Sequence, residues 1–162
     1  MAETQRKPVP RNDGGELDTA TAFLTFARES VLKKTDGLTD EQLREVLVGS
    51  GTTLLGLVHH LTFAERVWFG HHVAGGENPG DVDMTVPEGR STADVLAGYR
   101  AAIEASDAAI RAAGDPAVPV AVPVLGTAHT LRWVLAHMTS ETARHAGHAD
   151  ILREQLDGVT GR

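Results

Sequence analysis

The sequence predicts an all-α fold, an antiparallel four-helix bundle with a long connection between helices two and three, and three observations carry that reading. Apolar residues recur at intervals of three and four over four long segments. Capping residues or glycine bound these segments. Strand-like alternation is confined to one short Val/Pro stretch, and no heptad array or internal repeat is visible in the 162 residues.

The elements follow in order. Residues 1–15 carry two prolines, Gly14 and Gly15 and no apolar period, so a flexible arm or an extended surface segment is expected there. A bundle is expected over 16–158, with 159–162 as a tail. The first helix should begin near Asp18, burying Leu17, Ala20, Leu24, Ala27 and Val31, with Lys33 and Lys34 in its last turn and Gly37 ending it. Thr39 and Gln42 have capping-box spacing for a short helical turn whose buried side is Leu43, Val46 and Leu47, before Gly49, Ser50 and Gly51 break the chain.

The second long helix is expected from Thr52 or Thr53 to about Val73. Leu54, Val58, Leu61, Glu65 and Trp68 form one stripe, and Leu57, His60, Ala64 and Val67 the next. Glycines, prolines and aspartates from Gly75 to Arg90 mark a long connection. Ser91, with Asp94 three residues on, opens a third helix carrying Leu96, Tyr99, Ile103, Ser106 and Ile110, closed by Gly114 and Pro116. PAVPVAVPV is incompatible with a helix and suits an extended, edge-paired segment. The last helix should run from about Leu131 to Leu156, with Gly158 stopping it.

Composition narrows the chemistry. There is no Cys, which excludes disulfides, a thiolate nucleophile and thiolate metal sites, leaving His and carboxylate as ligands. With 22 acidic and 15 basic residues the net charge is −7, and no basic run interleaves with aromatics, so neither nucleic acid nor a membrane surface is an expected partner. No apolar run approaches the ~20 residues that span a bilayer, and the polar N-terminus lacks a secretion signal, so a cytoplasmic location is expected. Arg outnumbers Lys 12 to 3, a bias that accompanies high-GC bacterial coding.

The last helix carries the most informative pattern. Val134, Met138, Glu141, His145, His148 and Leu152 fall on one face at spacings of four and three. A face that buries Met and Leu should not hold a carboxylate and two imidazoles unless something satisfies them, and a divalent metal would. His60 on the second helix lies among apolar neighbours and would complete a His, Glu, His set with Glu141 and His145, leaving a position open for water or substrate. A single histidine on such a face is ordinarily satisfied by a backbone carbonyl, but a cluster makes a metal or catalytic site an equal competitor.

Spacing does not choose the ligands, since His137 with Glu141 is as good a pair as Glu141 with His145. His71 and His72, near a helix end, read as solvent-exposed groups facing its dipole. Glu65 has two readings, an outer partner of a ligating His or a carboxylate paired to a neighbouring helix. Arg144 and Arg153, with Asp150 and Glu154, read as a solvated ion-pair face. Nucleophile-elbow, P-loop and dinucleotide motifs are absent from the sequence.

Two segments, SGTTLLGLVHHLTFAERVWF and LRWVLAHMTSETARHAGHADILREQLDG, resemble the second and fourth helices of the DinB-like metal-dependent superfamily, in particular its DUF664-type branch. The resemblance implies a four-helix bundle, often homodimeric, with a divalent metal on His60, Glu141 and His145. The commonest superfamily pattern has His where Glu141 stands. The departure is similar to mycothiol-dependent maleylpyruvate isomerase relatives, in which a His, Glu, His set holds zinc. His148 falls where many members have Gln, so it is expected beside the metal.

The resemblance further implies a metal-dependent transferase acting on a small-molecule thiol and an electrophile, with mycothiol as co-substrate favoured by the coding bias. His148 or Arg144 would then orient the co-substrate, as the expected catalytic residues. Zinc is the expected ion, with nickel, iron or manganese as alternatives. A metal-dependent hydrolase, with Glu65 or His148 as base, and a non-enzymatic, stress-related metal-binding dimer are the rival readings.

Overall fold

A computed structural model describes residues 7–81 and 83–161. Its α-helices are α1 (Glu16–Lys33), α2 (Asp40–Arg44), α3 (Leu54–Glu65), α4 (Thr92–Ala113) and α5 (Leu131–Asp157). The short α2 is an accessory to the four long segments, and no strand is formed among the described residues. The first six residues of the expected arm lie outside those described.

Local chemistry sets most of the boundaries. α1 begins two residues ahead of expectation because Glu16 and Asp18 both suit its positive N-terminal end. Asn12 Nδ2 and the Gly14 amide also donate to Asp18, tying the preceding segment to the first turn. The Thr39 capping box forms, with Gln42 N donating to Thr39 Oγ1 at 3.2 Å and Thr39 N donating to Gln42 Oε1 at 2.9 Å. The helix it opens is shorter than expected, however. Glu45 turns extended, so Leu43 is buried while Val46 is 60% exposed and does not join the buried side.

The second long helix also departs from expectation. Thr53 caps α3, but the α-helical pattern stops at Glu65 and Arg66–Val73 is π-helical, with Ala74 N donating to Phe69 O five residues back. The wider turn moves the inward position from Trp68, which is half-buried, to Phe69, which is fully buried. The connection that follows crosses the start of α3 at Gly56, where an added Cβ would stand 2.4 Å from the Met84 carbonyl oxygen. Only glycine permits that approach.

Ser91 Oγ accepts from Asp94 N to open α4, and Gly114, at φ 69°, closes it. The Val/Pro stretch is extended and makes two isolated antiparallel bridges, Pro119 with Thr130 and Val124 with Thr127. Val122 N donates to the His72 carbonyl, and His72 Nδ1 lies 2.9 Å from the Val122 oxygen, so this stretch is fastened to the π-helical segment.

In the bundle α1 packs chiefly on α5 and α3 on α4, with α3 also against α5. The core divides into two apolar clusters. One contains Val31, Leu61, Tyr99 and Ala146; the other contains Leu24, Phe69, Ile110 and Met138. On each long helix a buried polar residue lies between the members of the two clusters: Arg28 on α1, Glu65 on α3, Ser106 on α4 and Thr142 on α5. Arg28 and Glu65 form a bidentate pair, Nε to Oε1 and Nη2 to Oε2, both at 2.7 Å. Arg28 Nη1 also donates to Asp107 at 2.8 Å.

Of the expected solvated face of α5, Arg144 and Glu154 are exposed, while Asp150 and Arg153 are engaged with the end of α1. Lys34 is nearly buried and pairs with Asp150 at 2.7 Å. Arg153 bonds Asp157 and donates to the carbonyls of Lys34 and Asp36. These groups lock the turn that follows α1 to α5 by satisfying its carbonyls.

Removing Glu65 leaves a guanidinium that is 2% exposed without its bidentate partner. Glu65→Ala should therefore cost about 3–5 kcal/mol, seen as a lower urea midpoint. Arg132→Ala, which removes only an exposed pair with Glu16, should leave the midpoint unchanged.

Candidate metal centre

Glu141 and His145 stand one turn apart on α5, and His60 faces them from α3. His145 Nε2 lies 3.0 Å from Glu141 Oε1 and His60 Nε2 lies 3.2 Å from the same oxygen. The three donor atoms all fall within 4.8 Å of one another. Ligands bound at the 2.0–2.1 Å usual for zinc would be about 2.8–3.4 Å apart in octahedral or tetrahedral geometry. The two contacts to Glu141 thus have the spacing of a shared coordination sphere. Imidazole nitrogen and carboxylate oxygen also suit borderline divalent ions.

Electrostatics favour the ligand forms. Burial opposes the charge of Glu141, but hydrogen bonds from His60 and His145 outweigh it and hold the carboxyl below its ordinary range. Burial pushes the His145 imidazole down, against the opposing pull of Glu141. Glu141 is therefore ionised and His145 neutral at pH 7, the states a metal requires. His60 Nδ1 is buried with no hydrogen-bond partner among the described residues. The His60 and His145 rings meet edge to face, with centroids 4.7 Å apart.

The other candidates occupy different places. His137, left open by spacing, is not in the donor cluster; its ring stacks on Trp133 at 6° and its centroid is 4.3 Å from that of Trp68. His148 is exposed, with Nδ1 3.3 Å from His145 Nδ1. Arg144 is exposed on the same helix. His71 and His72 are half-buried rather than solvent-exposed, because their Nδ1 atoms meet the carbonyls of Gly76 and Val122. Of the two readings of Glu65, the structure bears out pairing to a neighbouring helix.

Arg28 was not singled out from sequence, although a signal existed. It interrupts the apolar row between Leu24 and Val31 as Glu65 interrupts its own row between Leu61 and Phe69. Opposite charges inside two buried stripes are the mark of a partnered pair. His59 was also passed over. It is buried, its ring lies 5.0 Å edge to face from Phe63, and burial lowers its pKa.

The family described as mycothiol-S-transferase matches residues 19–158 of the chain. A crystal structure of a DinB-like protein from Bacillus cereus is similar in fold, with a TM-score of 0.64 at 24% identity over 86% of this chain and 96% of that one. No curated protein matches significantly.

The converging donors predict about one divalent ion per chain by elemental analysis of the untagged protein after zinc loading. His60→Ala and Glu141→Ala should each weaken binding beyond the roughly 10–100-fold loss typical of an outer partner, while His137→Ala leaves it unchanged. Affinity should fall below about pH 6, as protons compete for the imidazoles. Full metal retention in Glu141→Ala would exclude this ligand set.

Proposed function

The chain belongs to the mycothiol-S-transferase family, and on that premise we propose that it transfers a low-molecular-weight thiol, mycothiol first among them, to a small electrophile at His60, Glu141 and His145. The observation that carries the reading is the convergence of two imidazole nitrogens on one carboxylate oxygen, in a site where Glu141 keeps 22% exposure. Three protein ligands leave at least one position for an incoming group. A divalent ion there, with zinc favoured over nickel, iron(II) or manganese, supplies the positive charge that lowers a thiol's pKa towards neutrality.

Since the chain has no Cys, the nucleophilic sulfur must come from outside it. The thiol proton passes to solvent, the sulfur pair forms a bond to the electrophilic carbon, and the leaving group departs with the pair of the bond that breaks. His145 presents Nε2 to the centre. With Nε2 given to an ion, the His145 proton would sit on Nδ1, and His148 Nδ1, 3.3 Å away, would accept it in a hydrogen bond and hold the ring in place. Arg144 offers an exposed cation one residue before His145 to orient an anionic group on either substrate.

Metal-activated hydrolysis is the weaker reading. Glu65, one of its two candidate bases, is fully buried and committed to Arg28. Only His148 remains for that role. No helix among the described residues is long and apolar enough to cross a membrane, and we assign the protein to the cytoplasm, where low-molecular-weight thiols are kept reduced.

Calorimetric titration of mycothiol into zinc-loaded protein should show binding with release of about one proton per thiol, read from the dependence of the heat on buffer ionisation. Metal-free protein and Glu141→Ala should show neither. Bacillithiol and glutathione serve as comparators, and failure of all three to bind the loaded protein would overturn the reading. Turnover of an ester or amide panel in thiol-free buffer would then favour hydrolysis.

A further inference from the structure

The surroundings on the two sides of the metal centre, along α5, differ. Towards the start of α5 lie Trp68, Trp133 and His137. Trp133 stacks on His129 at 4.1 Å and on His137 at 5.3 Å, so its ring is already engaged by two neighbours. Towards the other end, roughly 5–12 Å along the helices from His60 and His145, lies a cavity of about 280 Å³ lined by Val48, Ser50, Thr52, Met84, His148, Ile151 and Leu152. This end is open.

We infer that this cavity is the acceptor subsite, which receives the apolar alkyl or aryl part of the electrophile; the inference rests on the thiol-transfer reading above. His148 connects the two places, since it lines the cavity and stands 3.3 Å from His145. The cavity is at the small end of the ~300–1,000 Å³ range for whole ligands, so it suits a fragment. Ser50 and Thr52 bond to each other at 2.9 Å, which leaves one hydroxyl proton in an otherwise largely apolar lining. A sugar thiol placed there would find few partners for its several hydroxyls, whereas an uncharged hydrocarbon group needs none. Ile151 is 56% exposed at this site, a branched apolar side chain held in water unless a ligand covers it.

N-alkylmaleimides are suitable electrophiles because the chain has no Cys to react with them. Sulfur bonds to one alkene carbon, the π pair moves to the other, and that carbon takes a proton from solvent, so the net change is addition of the thiol. The corresponding N-alkylsuccinimides are unreactive binding probes. In calorimetry with zinc-loaded protein, succinimide affinity should rise about fourfold per methylene from ethyl to hexyl. Ile151→Asp, a change at an exposed residue outside the metal centre, should flatten that series without altering zinc content.

With mycothiol and the maleimides, KM should fall along the same series in the wild type and stay flat in Ile151→Asp. Conjugation accelerated over the protein-free rate but with a flat wild-type series would refute the cavity and leave the transferase reading standing. Graded succinimide binding with no acceleration of any maleimide's conjugation over the protein-free rate would refute the transferase reading, and with it the acceptor role of the cavity.

Discussion

The bidentate contact between Arg28 and Glu65 is the constraint on which the geometry of the site depends. Glu65 is the last residue of α3 and lies five residues beyond His60 on the same rigid element. Arg28 belongs to α1, which packs chiefly on α5, the helix that carries Glu141 and His145. The pair therefore fixes the rotation of α3 against a frame that already contains the other two donors. Two parallel bonds at 2.7 Å tolerate little rotation, so His60 is aimed as a consequence.

Energetically this pair is better understood as a locator than as a source of stability. Desolvating both ions offsets most of their attraction, and an apolar pair of similar volume would often serve a core equally well. What apolar side chains lack is direction. The level at which the two apolar clusters meet is polar on every long helix, and Arg28, which also reaches Asp107 on α4, joins three of the four helices there. Immediately beyond Glu65 the backbone widens into the π-helical turn, which brings Phe69 inward beneath the guanidinium, 5.7 Å from its ring centroid. The irregular turn and the ion pair are thus parts of one local solution.

The bundle was legible in the sequence because its punctuation is local. Thr39 with Gln42, Ser91 with Asp94, and the glycines at 114 and 158 act on backbone groups within a turn, so their effects do not depend on distant residues. The π-helical turn, the outward position of Val46 and the locking role of Arg153 depend on contacts with other elements, which periodicity does not encode. The donor site divides along the same line. Glu141 and His145 are readable as an i, i+4 pair on a buried face. His137 has the same relation to Glu141 and is set apart by Trp68 and Trp133, whose approach is a tertiary fact.

The two histidines of the site are held differently, and the difference bears on how an ion would be received. His145 has both ring nitrogens engaged, Nε2 with Glu141 and Nδ1 with His148, so its ring plane is set before any ligand arrives, and an ion at Nε2 would move its proton to Nδ1. His60 has only its contact to Glu141 and an edge-to-face approach to His145, while its Nδ1 is buried without a partner. Its ring is held by packing on one side and by the carboxylate on the other. An entering cation would displace no hydrogen bond of His60 except the one to Glu141, which becomes a fellow ligand. The α5 pair is therefore the preorganised half of the centre and His60 the adjustable half, allowing ions of different preferred geometry to be accommodated by movement of a single side chain.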